Sequence, residues 1–90
     1  MDPFLSWLAG KPIKRRIFDA LCANPYGLTV DELAWIVWGG IHEPDNSRAS
    51  VWAHIVQLRN ALSIHLPILT VSSLRRSGRR FLLVLRRPGP

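Results

Sequence analysis

Catalysis or metal binding in this chain would have to rest on three histidines, one cysteine and six carboxylates. Their spacing does not group them. His42, His54 and His65 are scattered, none beside a carboxylate pair at ligand spacing, and Cys22 has no second thiol. The glycines do not form a phosphate-cradling loop. An enzyme is therefore not expected, nor a catalytic residue, a metal or a cofactor. What the spacing does produce is a surface. Within Arg48–Leu62, Val51, Ile55, Leu58 and Leu62 recur at i, i+4, i+7 and i+11, one side of an α-helix. Behind that stripe fall Ala49, Ala53, Val56, Gln57 and Asn60, with Arg48 and Trp52 on one flank and His54 on the other. No acidic side chain occurs in this segment or anywhere after Asp45. A small, uncharged-to-basic face of this kind suits a helix that enters a DNA groove.

The side chains on that face have definite uses. Gln57 can pair with N6 and N7 of adenine, and Asn60 can reach a base or a phosphate. Ala49, Ala53 and Val56 offer small apolar contacts that suit thymine methyl groups. Trp52 has three readings: packing along the sugar-phosphate backbone, plugging against the core, or marking a protein contact. A second basic element follows in Ser72–Arg80, where Ser73 lies beside Arg75, Arg76, Arg79 and Arg80. One guanidinium can enter a minor groove while the others meet phosphates. Each phosphate neutralised on a duplex contributes a salt-log slope of about −0.9, so binding would be steeply salt-dependent. No aromatic pair sits on a strand in the manner of an RNA-recognition motif, which favours DNA over RNA.

These residues need elements to hold them. Met1–Gly10 is apolar and irregular, and reads as a packing arm or short strand (residues 1–11) closed by Gly10. Ile13, Ile17, Ala20 and Leu21 have helical spacing through Ala23, with Pro12 tolerated in the first turn. Lys14, Arg15 and Arg16 crowd that helix's start, either for a phosphate or as a solvated face. Asn24-Pro25-Tyr26-Gly27 is a turn. Thr29-Val30-Asp31-Glu32 is a capping box opening a helix to about Trp38, with Val30, Leu33, Ala34 and Val37 inward. Gly39-Gly40 ends it. A polar connection, Ile41–Ser47, leads to Asn46 or Ser47 as N-cap of the groove-facing helix. Pro67 prevents its continuation past the segment ending at Leu62. Ile68–Val71 and Phe81–Leu85 read as strands, joined by a hairpin whose Gly78 permits a positive φ among four arginines. Such a hairpin must lean on the helices. The expected architecture is one α+β domain over residues 1–90, a three-helix winged helix-turn-helix with a C-terminal β-hairpin wing and a loose tail at 86–90.

Composition agrees. Ninety residues, 48% of them hydrophobic, allow one modest core. No apolar run approaches the roughly 18 residues of a membrane span, and Met1–Gly10 has no signal-type pattern. A single cysteine fits a reducing cytosol and, in an apolar helix, core packing, so a cytoplasmic protein is expected. The net charge of +6 is unevenly laid down. Residues 1–45 hold four cations and six acids, a balance of −2, and residues 46–90 hold eight arginines and no acid, a balance of +8. A chain so divided should attract polyanions from one side.

Several stretches also resemble one family. Val51-Trp52-Ala53-His54-Ile55-Val56-Gln57-Leu58-Arg59-Asn60-Ala61-Leu62 resembles the V-D-V-H-I-x-x-L-R-x-x-L recognition helix of OmpR/PhoB-type winged-helix transcription regulators. Asn24–Leu33 and Val37-Trp38-Gly39 are similar to its N-P-G…S-x-x-x-L…V-W-G segment. Ile68–Val71 and Gly78–Phe81 resemble its I-x-T-V and G-Y-R-F strands. The likeness spans residues 10–85 in collinear order. It departs at Trp52, where the family has an acid, at Val56 and Gln57, where it has cations, and at Arg79, where tyrosine is common. The turn of the wing is longer, the N-terminal strands are vestigial, and no receiver domain lies within the 90 residues. The resemblance implies phosphate contacts from His54 and Arg59. It also implies that the loop holding His42, Glu43 and Asp45 can touch RNA polymerase. The expected function is sequence-specific binding of double-stranded DNA in transcription regulation, as a homodimer or in tandem. Two other readings stay open: a protein-interaction adaptor for RNA polymerase or a repressor, and an architectural or recombination accessory protein.

Overall fold

The first helix begins where Asp2-Pro3 permits it. In the computed structural model, which describes residues 2–39, 45–75 (of Arg75 the backbone alone) and 79–85, α1 spans Pro3–Leu8. Asp2 Oδ1 accepts from the amides of Phe4 at 2.8 Å and Leu5 at 3.3 Å. Pro3 fills a first-turn position that needs no amide donor. The expected arm or strand is thus a helix. Phe4 and Leu8, four apart, are buried, and Phe4 stacks on Trp7 and meets Phe18 edge-on at 5.0 Å. Helix α2 spans Pro12–Ala23 and buries Ile17, Ala20 and Leu21. Cys22 is exposed rather than in the core, because it lies a further 100° around the helix from Leu21.

Gly27, at φ +92°, then turns the chain along the edge of the sheet. A Cβ there would meet the Phe81 carbonyl oxygen at 3.1 Å and Arg80 Cβ at 3.2 Å. Strand β1, Leu28–Thr29, has only two residues and no sequence signature of its own. Thr29 ends it and caps α3, Val30–Trp38, through the expected capping box. Gly39, left-handed at φ +60°, closes α3. Helix α4 runs Ser47–His65, a turn beyond Leu62, and Asn46 is its N-cap without a side-chain capping bond. Val51, Ile55, Leu58 and Leu62 are wholly buried, as their spacing requires. Each contributes about 1.5–3 kcal/mol in transfer terms.

Strands β2, Leu69–Arg75, and β3, Arg79–Leu85, pair antiparallel, with Val71 opposite Leu83 and Ser73 opposite Phe81. Both extend further toward the turn than the apolar runs suggested. β1 adds to the other side of β3, with Leu28 opposite Phe81, so the order is β1-β3-β2. Among the described residues the result is an α+β arrangement of four helices, where three were expected, and a three-stranded antiparallel sheet. Its core joins all four helices to the sheet through Val71 and Phe81. No helix among the described residues is long and apolar enough to cross a membrane.

Candidate nucleic-acid interface

The outward side of α4 is open. Ala49, Ala53, Val56, Gln57 and Asn60 are exposed, while the opposite stripe is sealed in the core. Two alanines one turn apart leave the backbone approachable, and no carboxylate stands on the helix. Among the residues expected to bind, those on this ridge are therefore free to do so.

The flanks are more committed. Trp52 is half-buried, edge-on to Phe81 with ring centroids 4.8 Å apart. Of its three readings, plugging against the core is the one its contacts match. Its ring also supports Arg79, whose guanidinium carbon sits 5.1 Å from the ring centroid. Arg79 and Phe81, two apart on β3, share the strand face that meets Trp52. Arg80 points to the other face, where it lies 3.5 Å from the Glu32 carboxylate and 3.4 Å from the Gly27 carbonyl oxygen. Arg80 is thus a brace between hairpin and α3, and not one of a row of free tip arginines. Ser73 is exposed and Arg75 closes the ladder opposite Arg79. Arg76 and Gly78, with the turn they were expected to form, lie outside the described residues.

Arg48 reaches Asp31 across the α3–α4 junction at 3.6 Å, with side chains 69% and 70% exposed. A pair so solvated contributes little and is easily exchanged for another anion. Arg59 is half-buried and donates from Nε to the Val71 carbonyl oxygen at 3.0 Å. That bond makes Arg59 a strut between α4 and the edge strand β2. His54, on the far flank, turns toward the start of α2, and its Nδ1 is buried without a hydrogen-bond partner among the described residues. Burial, and then the Lys14 charge, hold its pKa below the ordinary histidine value, which favours the neutral ring.

Sequence spacing missed the convergence of Thr29, Asp31, Arg48, Trp52 and Arg79 around an open cleft of about 400 Å³ beside the turn end of the hairpin. The capping box was its one visible marker, since it fixes where α3 starts. The backbone amide of Thr29, donating to Glu32, pulls that carboxyl's pKa down against a small burial effect. Near the start of α2, Arg15 pairs with Asp19 at 3.1 Å and Arg16 donates to the Val37 carbonyl oxygen at 2.9 Å. Arg16 thereby serves the C-terminal end of α3, where a cation is favoured. Asp45 is exposed, whereas His42 and Glu43 lie outside the described residues. Among the described residues no group of three or more His, Cys, Asp or Glu could hold a metal ion. In comparisons with known proteins, no family model, no curated protein and no solved structure matches this chain.

Proposed function

We propose that this chain is a winged-helix, sequence-specific double-stranded DNA-binding regulator of transcription. In this reading α4 enters the major groove and the β2–β3 hairpin is the wing. The observation that carries it is the seating of Arg79 on Trp52. That contact sets the arginine-bearing hairpin beside the exposed, acid-free ridge of α4, so that groove and backbone are met from one side. Arg79, with Arg75 and Arg76 before it in sequence, supplies the backbone charge, and Arg48 joins once phosphate displaces Asp31. Gln57 and Asn60 read base edges, and Ala49, Ala53 and Val56 meet methyl groups.

Randomised-site selection with the purified protein, followed by titration of the selected duplex, tests this. Gln57→Ala should weaken the selected site by about 1–3 kcal/mol and leave random duplex unchanged. Arg79→Gln should weaken every duplex alike and reduce the salt-log slope by about 0.9. A protein that enriches no sequence and binds no duplex in a salt-dependent way overturns the reading. The adaptor reading draws on Trp35, 65% exposed on α3, with Ile36 also exposed beside it. It predicts that Trp35→Ala abolishes a regulatory effect while duplex affinity stays intact.

A further inference from the structure

We propose that Lys11, Lys14 and His54 form a second phosphate seat, which takes a backbone phosphate of the DNA strand opposite the one met by the hairpin. This rests on the DNA-binding reading above. The three side chains, with Pro12 and Ile13, line an open crevice of about 170 Å³ between the start of α2 and the flank of α4. No acidic residue lines it. Arg15 and Arg16, the neighbouring cations, are already held by Asp19 and the Val37 carbonyl oxygen. Lys14 has no such counterpart among the described residues, and burial together with the Lys11 charge lowers its pKa. Lys11 lies over the Trp7 ring and donates to the Trp7 carbonyl oxygen, which fixes its stem at the crevice edge. The His54 ring closes the far wall, with its Nδ1 buried beneath that surface. Two lysines crowded without an anion beside the apolar walls of Pro12 and Ile13 are the arrangement that a phosphodiester oxygen relieves.

Position selects the occupant. His54 lies on the flank of α4 opposite Trp52 and Arg59, so the exposed ridge runs between the Arg79 rim and the Lys14 rim. A major groove is about 12 Å wide and an α-helix with side chains about 10–12 Å, so a helix in the groove has a phosphate chain along each flank. One rim then meets each strand.

Ethylation interference and salt titration on the selected duplex test the seat. Lys14→Gln should lower the salt-log slope by about 0.9, so that the affinity lost between 50 and 200 mM salt shrinks by about 3.5-fold. It should also remove interference at one phosphate on the strand opposite the hairpin's contacts. Lys14→Arg should retain both, and the wild-type His54 ring nitrogens should shift in NMR spectra on adding duplex. If Lys14→Gln leaves slope and interference unchanged while Arg79→Gln lowers the slope, the seat is wrong and the DNA reading stands. If wild-type protein binds no duplex, both fall. Inorganic phosphate shifting His54 where duplex does not would assign the crevice to free phosphate and overturn the seat as proposed.

Discussion

Arg59, Arg79 and Arg80 carry the same guanidinium and end in three different settings. Arg59 donates to the Val71 carbonyl oxygen, Arg79 lies on an indole, and Arg80 is divided between a carboxylate and a backbone oxygen. The alternation of a strand separates the last two, and that much was legible once β3 was recognised. Which partner each would find was not, because Glu32, Gly27 and Trp52 are 20 or more residues away in sequence. Gly27 shows the same limit. As part of Asn24-Pro25-Tyr26-Gly27 it reads as an ordinary turn glycine, yet its Cα faces β3 so closely that a Cβ would press on the Phe81 carbonyl oxygen at 3.1 Å. Gly27→Ala should cost about 1–3 kcal/mol from the positive φ alone, with more from crowding against Phe81 and Arg80. Chemical denaturation of the two proteins would measure it, and unchanged stability would show that β1 and β3 can separate at little cost.

At the scale of elements, local chemistry carried far. The bounds of α2 and α3 follow from Pro12, the capping box and Gly39, and the buried stripe of α4 follows from its period. Helix α1 was not read as a helix: Asp2-Pro3 is a cap followed by a first-turn proline, but six residues are too few for periodicity to speak. β1 was not legible. Two residues have no period, and they are extended only because β3 offers a free edge there. Removing the cap of α3 should act locally, with Thr29→Ala costing about 0.5–2 kcal/mol in thermal or denaturant unfolding. Glu32 adds a pH dependence of known sign. Its pKa is lower in the folded protein than in the unfolded chain, so the unfolded chain binds more protons between the two values. The stabilisation is complete above the unfolded value and is lost as pH falls through the folded one. An acid series of melting temperatures should therefore decline less steeply for Glu32→Gln than for the native chain.

At the scale of the molecule, the charge division along the chain is partly undone in space. Asp31 and Glu32 come from the acidic half, yet they meet Arg48 and Arg80 of the basic half. Among the described residues, fewer cations of the basic half are left for a polyanion than the count of +8 suggests, and with Lys11 and Lys14 they line two rims of α4. Keeping those rims in register is the task of a single core that runs from Phe4 in α1 to Phe81 in β3. Phe4→Ala should cost about 3–5 kcal/mol, a large share of the stability of a domain this size, and should weaken duplex binding through unfolding alone. Binding measured well below the mutant's melting temperature should return to the native value. The amino-acid sequence by itself determined the helices with their caps, the buried stripe and the surplus of arginine, because each depends on neighbours within a turn or two. Only the tertiary structure decided which arginines are spent inside the molecule and which remain for a partner, because a charge is paired by distance through space, and chain order does not encode that distance.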